Sequence, residues 1–450
     1  MKSLKIRILA TVVALLVVLA GLWIVLRKNA PAKDKEMVDV NGIKAVQALE
    51  AEPVAKDMTA QQFMESEDHW TWWDTYRKKM EVSAAQQKDM APFYQSIMAQ
   101  ILAGEEENTV CSPVNLYLAF AMLAETADGN TRAQILDMLK VDSIEALRVK
   151  AKALWDSNAI DTPILKSLLA NSLWLRETSD FNQETLSFLA EQYHASSYYG
   201  DPGSEEMTKA LQDWTNAHTG DLLTEYTKDL KLEPSTVMAL VSTLYYKAGW
   251  TDVFYPNNIS QGVFHGRNGD VMVDMMHRSD MMGVYNGDHF SAVGLNLNDS
   301  GQMYFLLPEE GVDVESLLTD PQLLEATNYD KDEHWSYPMV NLAIPKFKAS
   351  CKTDLLESLE ALGVTDALDP ALADFSPLTE NVYISQAEHA AMVEVDENGV
   401  TGAAYTEIAL AEGAAEPEEE IDFIVDRPFL FMVTGRDGSV LFAGIVKNIE

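Results

Sequence analysis

Residues His389 to Pro428 read HAAMVEVDENGVTGAAYTEIALAEGAAEPEEEIDFIVDRP. Ala391 to Val395 has the composition of a strand, and Gly399 and a run of small residues follow it. The 28 residues between Gly399 and Pro428 are too many for an ordinary hairpin. One reading is a disordered surface loop, but the pattern argues against it. Even positions 400 to 410 are Val, Gly, Ala, Thr, Ile and Leu; odd positions 401 to 411 are Thr, Ala, Tyr, Glu, Ala and Ala. The charge falls on the odd face and the aliphatic stems on the even one, the period-two signature of a half-buried strand. A segment placed as an exposed connection is therefore written as a sheet strand.

Working outward, Phe429–Thr434 and Val440–Val446 flank Arg436-Asp437-Gly438-Ser439, which reads as a hairpin. Upstream, Val340-Asn-Leu-Ala-Ile344 alternates and is closed by Pro345. Thr353 is expected to open a helix, LLESLEAL, that stops at Gly363. Farther back the texture is helical. Phe93, Ile97 and Ile101 recur every fourth residue, and Ser112-Pro113 reads as N-cap and first position of a helix with Leu116, Phe120 and Leu123 inward. Helices and strands come in separate runs, which predicts an α+β class.

The chain has 450 residues, with 33 Lys+Arg against 70 Asp+Glu and a net charge of −37. That charge excludes a phosphate-backbone partner, so no nucleic acid is expected. A hydrophobic content of 47% suffices for a large core. Two cysteines, Cys111 and Cys351, are too few for a disulfide scaffold or a four-thiolate metal site. No G-x-S-x-G, S-x-x-K, H-E-x-x-H, C-x-x-C, G-x-G-x-x-G or P-loop motif occurs. Glu394, Asp396, Asn398 and Gly399 resemble the start of a calcium loop, but the twelfth position is Tyr405 where a bidentate glutamate is required. Neither metal nor cofactor is expected, and the chain does not read as an enzyme.

Ile8 to Leu26 is nearly unbroken apolar sequence with Lys2, Lys5 and Arg7 before it and Arg27 and Lys28 after it. Nineteen residues of helix span about 28 Å, close to a bilayer core. Residues 1–28 thus read as an uncleaved anchor, with a cleaved signal peptide as the alternative, since Ala30-Pro31-Ala32 imitates a cleavage box. Either way the remainder is expected outside the cytoplasm, anchored by one helix or secreted. Residues 29–58 read as a linker. Residues 59–89 read as a helical extension from Thr59 to Gln87, carrying His69, Trp70, Trp72, Trp73 and Tyr76. That aromatic group is either a packing surface against the main domain or a partner patch. Residues 90–450 form one compact unit.

Separated motifs in that unit resemble the serpin (serine protease inhibitor) family. Asn108-Thr-Val-Cys-Ser112-Pro113 is similar to the family's N-x-x-x-S-P start of its second helix, and Ala170-Asn171-Ser-Leu-Trp174 to its A-N-x-L-W strand. Leu244-Tyr-Tyr-Lys247-Ala-Gly-Trp250, closed by Phe254, resembles the Y-F-K-G-x-W-x-x-x-F strand. Ile344-Pro345-Lys346-Phe347 and Asp426-Arg427-Pro428-Phe429-Leu430-Phe431 match the late signatures. Order and spacing together make the likeness strong over Met90 to Glu450.

The resemblance implies eight or nine helices, three sheets and an exposed reactive-centre loop. It assigns Glu397, Gly399, Val400, Thr401, Gly402, Ala403 and Ala404 to the hinge and Trp250 to the breach. Ser112, Asn115, Ser242 and His389 fall in the shutter, with two departures: Ser242 stands where an asparagine is expected and Asn115 where a serine is. Gly402 costs some strand propensity. The implied activity is suicide inhibition, in which a serine protease forms an acyl-enzyme on the loop. The freed strand then inserts into a sheet, for which this family is a known case. Fourteen residues from Gly399 put the scissile bond at Gly413–Ala414, with Leu410, Ala411 and Ala415 as alternatives. No Lys or Arg occurs from Glu397 to Asp426, so an elastase-like target is expected, with a chymotrypsin-like one second. A non-inhibitory binding or scaffold serpin is the competing expectation.

Overall fold

The computed structural model describes residues 38–40, 43–49, 53–87, 89–327, 334–400 and 420–449. Ten α-helices occur among them: α1 (Ala60–Met64), α2 (Glu67–Gln87), α3 (Ala91–Leu102), α4 (Pro113–Thr126), α5 (Gly129–Met138), α6 (Ile144–Asn158), α7 (Gln183–Gln192), α8 (Glu205–Ala217), α9 (Thr224–Thr227) and α10 (Leu356–Ala361). With three sheets beside them, the class is α+β as expected.

Sheet A runs β1 (Val38–Val40), β2 (Ile43–Val46), β6 (Ala195–Gly200), β5 (Leu165–Arg176), β7 (Met238–Gly249), β17 (Gly399–Val400), β16 (Glu388–Asp396), β15 (Phe347–Asp354), with β4 (Ile160–Asp161) paired to β5. Sheet B runs β13 (Trp335–Ser336), β10 (Val284–Asn286), β11 (Phe290–Asn296), β12 (Gln302–Pro308), β19 (Phe429–Thr434), β20 (Val440–Val446), β3 (Thr109–Cys111). Sheet C runs β18 (Glu420–Ile424), β14 (Met339–Pro345), β9 (Gly269–Met281), β8 (Ile259–Gly266).

The core lies around α4, whose residues are all buried except Ala119. A helix buried almost all round belongs in a core, and α4 is packed against both β7 and β20. Every residue of β19 and of β20 is buried, so these strands are continuous hydrophobic runs without alternation. Their hairpin has the bounds that the sequence predicts.

Three expectations need correction. Thr353 does not open a helix: it belongs to β15, and α10 begins at Leu356, whose N–H is held by Asp354 Oδ1 at 2.9 Å. Asp354 thus ends the strand and starts the helix. The extension is two helices. Thr59 caps α1 with Gln62 in a reciprocal capping box, but Ser66 Oγ then donates to Phe63 O and accepts from the His69 N–H, restarting the helix as α2. Ser112 precedes α4 without capping it; its hydroxyl donates to Leu441 O at 2.6 Å.

The aromatic residues of α2 pack inward for the most part. Tyr76 is buried and Trp72 and Trp73 lie against the core, while Trp70 is 67% exposed. Ser83 donates to the buried Asp437 carboxylate at 2.5 Å, which also accepts from Asn158 and Ser439. Arg436 lies over the Trp73 ring at 4.5 Å. Asp437→Ala would remove an acceptor from four buried donors, the Ser83 and Ser439 hydroxyls, the Asn158 amide and the Ser439 N–H. A loss of about 3 kcal/mol is expected, together with faster proteolytic release of α2, read by denaturant titration and limited proteolysis.

Candidate functional site

The predicted site residues fall into two groups along sheet A. The first sits at the end where β16 turns into β17. Asp396 Oδ1 accepts from the N–H groups of Asn398 (2.8 Å) and Gly399 (3.2 Å), making the tight turn that aspartate favours. Gly399 has φ +151°, and a Cβ there would lie 2.2 Å from Ala248 O, so only glycine fits. Trp250, 1% exposed and next after the end of β7, clamps the turn: its indole N–H donates to Asp396 O at 2.8 Å and its backbone N–H to Asn398 O at 3.1 Å. Glu397 is paired with Lys346 at 2.6 Å, and that ammonium holds its carboxyl below the usual range. The Lys346 contact was not part of the sequence reading, although Lys346 lies inside a quoted motif.

β17 consists of Gly399 and Val400, seated between β7 and β16 with Gly399↔Gly249, Val400↔Ala248 and Val395↔Val400 in register. Val400 is buried beside Ala248 and Val395. Among the described residues β7 and β16 make no direct pairing below it. A cavity of about 400 Å³ opens there, walled by Val241, Ser242 and Thr243 on one side and Glu388, His389 and Ala390 on the other, with α4 beneath. Thr401, Gly402, Ala403 and Ala404 lie outside the described residues, as do Leu410, Ala411, Gly413, Ala414 and Ala415.

The second group lies at that cavity. The Ser112 N–H donates to His389 Nε2 at 3.0 Å, so the imidazole is neutral and its proton sits on Nδ1. Asn115 Nδ2 donates to Ser242 O at 3.0 Å, and the Ser242 hydroxyl donates back to Asn115 Oδ1. The two departures from the family pattern are thus partners. The longer amide comes from the helix instead of the strand, and the same gap is bridged.

Burial depresses His389 from 6.5 to about 4. The unfolded chain therefore takes up this proton first as pH falls. The contribution is complete above about pH 6.5 and is lost progressively towards pH 4, by up to roughly 3 kcal/mol. In His389→Gln this part of the pH slope of stability is expected to vanish, read by denaturant melts across that window.

The comparisons agree with this architecture. The family described as Serpin (serine protease inhibitor) matches residues 89–449. Serpin-ZX of Arabidopsis thaliana is 28% identical over 367 residues, covering 76% of this chain and 93% of its own. Serpin B8 of Bos taurus is 28% identical over 365 residues, covering 76% and 94%. Among solved structures, the thermophilic serpin tengpin in its native state superposes with a TM-score of 0.71 at 24% identity over 90% of this chain and all of its own. Thyroxine-binding globulin complexed with thyroxine gives 0.69 at 23%, over 83% and 99%. Sheet order, the clamped turn before β17 and a family match over most of the length converge, and the chain belongs to the serpin family of serine protease inhibitors.

Proposed function

We propose that the chain inhibits an elastase-like serine protease as a suicide substrate, trapping the acyl-enzyme by inserting residues 401–410 behind β17. The supporting observation is the seating of Gly399–Val400 between β7 and β16. Carried on from that register, Leu410 comes opposite Met238, the first residue of β7. The inserted strand would then match β7 end to end, and its even face would turn Gly402, Ala404, Thr406, Ile408 and Leu410 towards α4. Gly413–Ala414 would fall just past the end of the sheet, where a tethered protease has been carried about 45 Å. Small residues around this bond suit an elastase pocket, and the want of Lys and Arg leaves a trypsin-like pocket nothing to bind.

The test incubates the full chain with elastase, chymotrypsin and trypsin. An adduct surviving denaturant with elastase is expected, and the nicked chain should melt higher than the intact one. Clean cleavage with no adduct and no rise in melting would replace this reading with a non-inhibitory binding or scaffold role. We also infer that Ile8–Leu26 anchors the domain outside the cytoplasm. Among the described residues no helix is long and apolar enough to cross a membrane, and this segment is not one of them. Retention of the protein in membranes washed at alkaline pH tests the anchor.

A further inference from the structure

The two cysteines, far apart in sequence, are both free thiols. The topology brings them together. β3 ends at Cys111, and the next residue, Ser112, bonds to His389 on β16. In the β15–β16 ladder His389 faces Thr353 and Ala391 faces Cys351. Directly opposed residues of an antiparallel pair share a face, and so do residues two apart on one strand. Cys351 therefore lies on the inner face with His389, its Sγ 3.1 Å from Thr353 Oγ1. β3 packs against both β15 and β16. Burial pushes the Cys111 thiol up, and the Cys351 thiol beside it pushes it further, so the two are within electrostatic reach. Cys111 is fully buried and Cys351 partly exposed.

We propose that Cys111 and Cys351 form a redox-dependent disulfide that staples β3 to β15. The oxidant is a disulfide compound of the glutathione class. Cys351, the less buried of the two, gives up its proton and attacks one sulfur of that compound, releasing a thiolate and leaving a mixed disulfide. Cys111 then gives up its proton and attacks Cys351 Sγ, releasing the second thiolate. Two thiols of the chain lose two electrons and two protons, and the incoming disulfide is reduced to two thiols. The bond joins the outer strand of sheet A to the edge of sheet B just before α4, closing a long loop and so restricting the unfolded chain.

The experiment equilibrates the full chain with oxidised and reduced glutathione, blocks free thiols with iodoacetamide after denaturation, and maps peptides. The oxidised chain should be two hydrogens lighter, unalkylated, and contain a peptide linking Cys111 to Cys351. Its melting point should rise by roughly 5–10 °C and return on adding dithiothreitol. Cys111→Ser should stop at a stable glutathione adduct on Cys351, and Cys351→Ser should leave Cys111 alkylated only after denaturation. Two alkylated cysteines in the oxidised wild type, or a wild type that halts at the adduct, would overturn the assignment.

Discussion

In Val400→Arg the adduct with elastase is expected to fall by more than tenfold while the rate of cleavage holds. Val400 is buried at the point where β17 passes between β7 and β16. A guanidinium there would replace an apolar side chain buried beside Ala248 and Val395. It would have to leave the slot or be buried at a cost of several kcal/mol. Each 1.4 kcal/mol added to the barrier for insertion slows it tenfold. Deacylation does not wait for insertion, so the protease escapes and the chain is consumed as a substrate. Val400→Thr, close in shape, should keep most of the adduct. Normal adduct yield from the arginine variant would show that the even face does not enter the sheet.

The second large effect concerns Asn115 and Ser242. Asn115→Ser shortens the helix side of the bridge and leaves the Ser242 carbonyl and hydroxyl short of partners at a nearly buried site. A loss of about 2 kcal/mol is expected. Ser242→Asn alone removes the hydroxyl that donates to Asn115 Oδ1 and should cost about as much. The double exchange restores one amide and one hydroxyl, so its stability should return to within about 0.5 kcal/mol of the parent. Denaturant melts of the four proteins measure the coupling; additive losses would mean that the two side chains act independently.

This pair marks how far the sequence could be read. Strands buried on both faces announce themselves by composition, and β19 and β20 are legible residue by residue. The turn before β17 is not read in advance: Asp396 and Gly399 figure in the sequence only in a rejected calcium loop, and the Asp396 bonds to the Asn398 and Gly399 N–H groups show their use. Ser242 and Asn115, by contrast, look like two separate faults until the fold brings α4 onto β7. Their complementarity is a long-range fact that no local pattern carries. The false helix start at Thr353 has a similar cause. The helix-forming run Leu355–Leu362 follows Thr353 and Asp354 directly in sequence, and only the pairing with β16 shows that both belong to the strand. Ser66 broke a helix that propensity alone would continue, by spending its hydroxyl on both neighbouring backbone groups.

The position of the last three strands has a practical result for anyone following cleavage. β18 is hydrogen-bonded into sheet C beside β14, and β19 and β20 lie inside sheet B between β12 and β3. A cut at Gly413–Ala414 would sever the backbone but leave the C-terminal piece woven through two sheets. On a sizing column the product would elute with the parent, and an antibody to either end would still capture both fragments. Only gels run in detergent, or mass spectra of denatured samples, would register that a bond had gone.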